Sequence, residues 1–267
     1  MTTTYNIKEH NMHILITGAT GGLGGFIIKE LHKKTDIKIT AHGRDMKKLE
    51  SLQKTYGVDF FQADISTSEG IQSIYEYCQK KPIDVLINNA GVLYMQDFAT
   101  AEESTIQNTI NVNISAMINL TRKILPLMLE NNTRSNIINI GSTAGSLSMP
   151  YLSVYCATKY AVKGFSEGLH RELYDTPVYV SYVAPRGMNT SMLSERERKI
   201  FKMFGSKLDQ PENVAKRIVC VIEKSTTRTT IGLWEKFGGA INSIFPSLMD
   251  VFFWIIRKPL RKLFLDK

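Results

Sequence analysis

Cysteine is scarce in this chain. The 267 residues hold three, Cys78, Cys156 and Cys220, widely spaced, odd in number and without a Cys-x-x-Cys pattern. That excludes a disulfide framework and a cysteine-based zinc site, and it fits a reducing compartment. No metal is expected. Cys156 is read as a small apolar packing residue rather than a nucleophile. Long apolar runs are also missing: no stretch reaches the roughly 18 apolar residues of a membrane-spanning helix. Residues 1–11 are short and polar, without the apolar core of a secretory signal. There is no internal repeat, no low-complexity tract and no clear linker, so one domain with at most an appendage accounts for the length. The expected location is cytoplasmic.

Negative charge falls short of positive charge, leaving a formal net charge of +8. Such an excess suits a phosphate-bearing cofactor, an anionic membrane surface or nucleic acid. The basic residues are dispersed through the chain and concentrated in an apolar tail, with no nucleic-acid-binding motif. Nucleic acid is therefore not an expected partner. A hydrophobic fraction of 43% and a charged fraction of 22% are ordinary for a globular protein, which leaves the local patterns to decide.

Met12 to Thr17 is a short apolar run ending in Gly18-Ala19-Thr20-Gly21-Gly22-Leu23-Gly24-Gly25. Phe26, Ile27, Ile28 and Leu31 then follow at helical spacing. Strand, glycine turn and helix in that order let a pyrophosphate approach the backbone at the positive end of a helix. Further strands are expected at Ile37 to Ala41, Val58 to Ala63, Ile83 to Ile87, Asn136 to Ile140 and Val178 to Ala184. Helical patterns fill the intervals, including Met46 to Tyr56, Ile71 to Tyr77 and one long helix from about Ala101 to Glu130. This alternation predicts right-handed crossovers and a parallel sheet with ligands beyond the carboxyl ends of its strands.

Arg44 follows the second strand, and Gly43 stands where a carboxylate for ribose hydroxyls is often found. A guanidinium there suits a 2′-phosphate and points to NADP(H) over NAD(H). The competing reading is a solvated helix start in which Arg44 contacts only Asp45. Asn113 lies inside the long helical pattern, where an asparagine ordinarily faces solvent. Tyr155 and Lys159 are four apart on an amphipathic helix and so share a face. An ammonium beside a phenol favours the phenolate, tuning the tyrosine for proton transfer. A chance surface pair is the alternative reading.

In its ordered set of motifs the chain resembles the short-chain dehydrogenase/reductase family. The carriers are Thr17-Gly18-x-x-x-Gly22-x-Gly24, Asp64, Asn88-Asn89-Ala90-Gly91, Asn113, Ser142 and Tyr155-x-x-x-Lys159, covering roughly residues 12 to 230. The resemblance implies a three-layer α/β doubly wound parallel sheet, Rossmann-like, in a single domain. It implies Tyr155 as the proton donor to a reduced carbonyl, and Lys159 as the group that lowers its pKa and holds the nicotinamide ribose. Ser142 would stabilise the substrate oxygen and Asn113 would hold a relay water. Gly18, Gly22 and Gly24 would pack the pyrophosphate, Asp64 the adenine, Asn89 the adenosine ribose and Thr190 the carboxamide. Thr20, Leu23, Arg44, Ile65, Ala90, Gly91, Pro185 and Gly187 complete the implied cofactor contacts. Family members are commonly dimers or tetramers, so a homo-oligomer is expected.

Two departures from the family pattern bear on substrate. Arg186 is inserted between Pro185 and Gly187 and is expected to point into solvent. The segment after Thr190, usually the substrate lid, is polar and basic from Ser194 to Lys199 and then runs Ile200-Phe201-Lys202-Met203-Phe204. Beyond Gly239 an apolar stripe from Ile241 to Ile256 meets Arg257, Lys258, Arg261, Lys262 and Lys267. This tail is expected to pack over the pocket or between subunits, with a membrane surface as the minority reading. The expected organisation is an extension at 1–11, a catalytic domain at 12–239 and a basic amphipathic helical tail at 240–267. The expected activity is NADP(H)-dependent interconversion of a carbonyl and an alcohol on a small, apolar or lipid-like molecule. A catalytically silent cofactor-binding sensor or scaffold is the alternative.

Overall fold

The computed structural model describes residues 12–190 and 193–265, without the side chains of Leu233 and Leu265. The expected extension at 1–11, and Lys267 of the basic tail, lie outside the described residues.

The strands are β1 (Met12–Ile16), β2 (Ile37–Gly43), β3 (Asp59–Gln62), β4 (Val85–Asn88), β5 (Ser135–Ile140), β6 (Val178–Ala184) and β7 (Arg228–Thr230). The helices are α1 (Gly24–Leu31), α2 (Met46–Tyr56), α3 (Ser68–Lys80), α4 (Glu103–Ile110), α5 (Ala116–Glu130), α6 (Ser153–Glu172), α7 (Glu195–Met203), α8 (Pro211–Lys224), α9 (Leu233–Ile244) and α10 (Pro246–Leu265). All seven strands pair in parallel, in the order β3-β2-β1-β4-β5-β6-β7.

Strands β1, β4 and β5 are buried at every position, which is why β1 and β4 read as near-continuous apolar runs rather than alternating ones. One face of the sheet packs against Ile27, Leu31, Leu49, Val214 and Ile218 from α1, α2 and α8. The other packs against Ile74, Leu120, Ile124, Met128 and Leu169 from α3, α5 and α6. The three-layer doubly wound architecture is as expected. Chain order reverses between β1 and β4, so a crevice opens beyond their carboxyl ends.

The structure departs from the sequence pattern in three places. The helix expected over 101–130 is two helices joined by a π turn at Asn111–Ser115, and Asn113 within it is 2% exposed rather than solvated. The π turn adds one residue to the helical turn and rotates the side chains within it, which an α-helical spacing pattern does not register. Strand β7 has the sequence Arg-Thr-Thr and lies at the sheet edge, with no apolar run to announce it. The apolar, basic tail is made of two helices, α9 and α10, bent by 116°.

The tail packs back on the domain. On α10, Leu260 is buried, Phe264 stacks on Tyr151 with ring centroids 3.7 Å apart, and Phe253 meets Phe204 edge-on at 5.9 Å. Asn242 of α9 donates to the Ser146 carbonyl at 3.1 Å.

Candidate active site

The crevice is a cavity of about 590 Å³, lined by the ends of β1 to β6 and roofed by α7, α9 and α10. Its first wall is the glycine turn. Gly18 has φ +64°, and a Cβ there would stand 2.7 Å from the Ala90 Cα, so only glycine fits beside β4. A Cβ on Gly24 would stand 2.5 Å from the Gly18 carbonyl oxygen, so α1 starts directly against the turn. Leu23 supplies no side-chain cap to α1 and its first turn carries no carboxylate, leaving those amides for an anion.

Thr17 and Asn89 pin this turn to β4. The Thr17 hydroxyl accepts from the Asn89 and Ala90 amides at 3.0 and 3.1 Å. The Asn89 side-chain Nδ2 donates to the carbonyls of Thr17 and Gly18, both at 3.0 Å. Asn89 therefore lines the cavity with its donors already committed to the turn.

Arg44 lies at the mouth with its side chain 63% exposed, and its guanidinium is 3.8 Å from Asp64. Asp45 instead caps α2 through the Lys48 amide at 3.1 Å. The reading in which Arg44 contacts only Asp45 is thus corrected. Burial pushes the Asp64 carboxyl up, but two hydrogen bonds from Ser66 and the charge of Arg44 outweigh it and hold it below the ordinary range. Ile65 and Thr20 complete this end of the cavity.

Ser142, Tyr155 and Lys159 form the floor. Ser142 leaves β5 in extended backbone, its hydroxyl accepts from the Ala144 amide at 3.1 Å, and its carbonyl accepts from the Tyr182 hydroxyl at 3.1 Å. The Ser142 hydroxyl lies beside the Tyr155 phenol and pulls its pKa down. Lys159 is 7% exposed, donates to the Ile140 carbonyl at 3.1 Å and holds its Nζ 5.7 Å from the Tyr155 ring centre.

The expected lowering of the tyrosine pKa is not realised. Burial pushes Tyr155 up to about 12 against the downward pull of Ser142, and burial pushes Lys159 down to about 8. Both groups are desolvated, and burial is the dominant cause of each shift.

Asn113 is spent on structure: its Oδ1 accepts from the Val92 amide at 2.8 Å, and its Nδ2 donates to the Val92 carbonyl and the Thr158 hydroxyl. Gly91 sits between it and the lysine, since a Cβ there would be 3.3 Å from Asn113 Oδ1 and 3.8 Å from Lys159 Nζ.

Pro185 and Gly187 line the far wall, and Thr190 packs over Gly22. Arg186 does not point into solvent. Its guanidinium is 2.6 Å from Asp209 and 3.6 Å from Glu235 of α9, with all three side chains at most 20% exposed. The reason is local: the loop at 209 and α9 both close over the exit of β6 and place two carboxylates there. Arg198 of α7 donates to the Thr190 carbonyl at 2.9 Å and to the Asn189 side chain. Asp209, Glu235, Arg198 and Tyr182 also contribute, and no motif marks any of them. Above the polar floor the cavity is apolar, with Leu147, Met149, Leu193, Phe201, Phe204, Met249, Phe252 and Phe253 on its walls.

These features fit a nicotinamide dinucleotide: an uncapped helix start at a glycine turn, a guanidinium at one end and a lysine at the other. Two of the three Lys159 donors have no protein partner among the described residues. The family model for short chain dehydrogenases matches residues 12–200. Among relatives, the chain is similar to the very-long-chain 3-oxoacyl-CoA reductase of Mus musculus, 32% identical over 275 residues, covering 95% of this chain and 82% of the relative. It is also similar to the 3-ketodihydrosphingosine reductase of Bacteroides thetaiotaomicron, 31% identical, covering 79% and 76%. A short-chain dehydrogenase/reductase from Burkholderia phymatum, solved in complex with NAD, superposes with a TM-score of 0.80 at 20% identity, covering 90% of this chain and 95% of that one.

Proposed function

Because the chain belongs to the short-chain dehydrogenase/reductase family and is an oxidoreductase of carbonyl and alcohol carbons using NAD(P)(H), we propose that it uses NADP(H) on a lipid-like substrate. The observation that carries this reading is the site's two-part character, a Ser142-Tyr155-Lys159 floor under a wall of apolar and aromatic side chains.

When bound, the dinucleotide supplies or takes up the hydride. In the reducing direction Tyr155 gives its phenolic proton to the substrate oxygen as negative charge grows on it. With its pKa raised to about 12, the phenol holds that proton at neutral pH. Ser142, fixed by the Ala144 amide, turns its own proton toward the same oxygen and stabilises the developing charge. Lys159, brought down to about 8, is poised to return a proton to Tyr155 and keeps two donors for ribose hydroxyls. Asn113 acts through Val92 and Thr158, holding the wall beside Lys159 in place.

The choice of NADP(H) rests on Arg44, whose guanidinium meets only the Asp64 carboxylate, 3.8 Å away, among the described residues and can turn to a 2′-phosphate. Titration with NADPH and NADH, followed by nicotinamide fluorescence, tests it. Tighter NADPH binding, lost by about tenfold or more in Arg44→Ala with NADH unaffected, is the expected result. Tighter NADH binding overturns the phosphate assignment. For the reaction, 3-oxoacyl thioesters and long-chain ketones are the substrates to screen. Tyr155→Phe is expected to reduce kcat by roughly a thousandfold while leaving cofactor affinity near that of the parent. Undiminished turnover in that variant rules out the proton donor.

A further inference from the structure

We propose that α9 and α10 form an arm that docks on the interface of an anionic lipid bilayer, lying in the headgroup region rather than crossing it. On α9, Trp234, Phe237, Ile241 and Ile244 recur at spacings of three and four, the pattern of a helix face built to be buried. They are instead 83%, 61%, 37% and 69% exposed. On α10, Leu248, Val251 and Ile255 repeat the pattern at 58%, 57% and 63% exposure, on the side away from the buried Leu260. The helix is thus apolar on two faces, and the domain uses one. A contiguous apolar surface of this kind marks an interaction site.

What covers it follows from charge. Arg257, Lys258, Arg261 and Lys262 are all exposed on the later turns of α10, and none has a carboxylate partner among the described residues. On the rest of the arm Glu235 is engaged by Arg186, and Asp250 is the other carboxylate. Two copies meeting face to face through this surface would bring their cations together, whereas anionic headgroups neutralise them. The Arg257 guanidinium lies 3.9 Å over the Trp254 ring, and tryptophan and arginine together suit the boundary between headgroups and acyl chains. No single described helix is long and apolar enough to cross a membrane, and the 116° bend lays α9 and α10 out as two separate segments.

Trp234 and Phe252 also line the cavity, so a docked arm holds the mouth of the site against lipid. That consequence rests on the lipid-like substrate proposed above; the docking itself does not.

Trp234 and Trp254 are the chain's two tryptophans, so intrinsic emission reads the arm directly. The full chain is titrated, without cofactor or substrate, with phosphatidylcholine vesicles that contain or lack phosphatidylserine. A blue shift and co-flotation with the phosphatidylserine vesicles, weakened by added salt, is the expected result. Phe237→Ser with Ile255→Ser, and separately Arg261→Glu with Lys262→Glu, should each lower vesicle affinity at least tenfold. Both pairs are exposed and outside the catalytic floor, and unchanged NADPH binding verifies the fold. Absence of shift and flotation overturns the proposal, as does flotation that both variants retain. Self-association without vesicles that the Phe237→Ser, Ile255→Ser pair abolishes also overturns it, assigning the face to a second copy.

Discussion

A lysine that is 7% exposed and has one carbonyl as its partner works against folding at neutral pH. Lys159 is protonated below about 8 in the folded chain, whereas in the unfolded chain it keeps its proton up to 10.5. Between those values the unfolded state binds more protons, so stability contributed at this position rises with pH; below about 8 the full cost stands. Lys159→Met should therefore raise stability at pH 7 by on the order of 1–3 kcal/mol while ending turnover. Urea melts at pH 7 and pH 10 check it, with the gain over the parent shrinking at the higher pH. A loss of stability at pH 7 would mean that the hydrogen bond to Ile140 outweighs the buried charge. Tyr155 has the opposite sign: its folded pKa is raised from 10.0 to about 12, so its contribution is present below 10 and is lost as pH climbs through that window. The pairing of Tyr155 with Lys159 was readable from a spacing of four residues. The direction of the tyrosine shift was not, because burial on all sides is a property of the assembled cavity.

Among elements, the exit of β6 is tied to α9 by Arg186 across Asp209 and Glu235. Truncating the arginine leaves two partly buried carboxylates facing each other, which costs more than the bridge gained. Arg186→Met should thus destabilise the fold by roughly 3 kcal/mol. Adding Asp209→Asn and Glu235→Gln should recover most of the loss. Denaturant unfolding of the single and triple variants measures both. Equal stability of parent and single variant would place the clasp in effective contact with water. Sequence reading missed the clasp because Asp209 and Glu235 are distant along the chain and lie in segments with no motif. It found the β1–turn–α1 unit because an apolar run gives way to glycines and then to helical spacing within Met12 to Leu31. At Asn113 an α-helical spacing pattern was the wrong guide: the π turn over Asn111–Ser115 turns the asparagine inward, where it holds Val92.

For the whole molecule, alternation of strands and helices was enough to place Arg44, Asp64, Asn89 and Ser142 on one edge of the sheet, because parallel strands put all their carboxyl ends on that edge. The tail was legible as apolar and basic, and packing over the pocket was among its expected placements, but a helix apolar on two faces does not declare which face the domain takes. The structure assigns Phe253 to the inner face, edge-on to Phe204, and both border the cavity above the floor. Contacts made there hold substrate and transition state alike, so they act on KM rather than kcat. Phe253→Ala should consequently raise KM for a long-chain 3-oxoacyl thioester by roughly tenfold, through loss of one aromatic contact with the chain. Short substrates that do not reach α10 should be unaffected, and kcat should hold for both. The measurement is kcat/KM across a series of increasing chain length for parent and variant. A parent that gains nothing from added length would show that the apolar wall does not receive the chain, even with Tyr155 chemistry intact. A gain in the parent that flattens in the variant would assign α10 the outer half of substrate recognition.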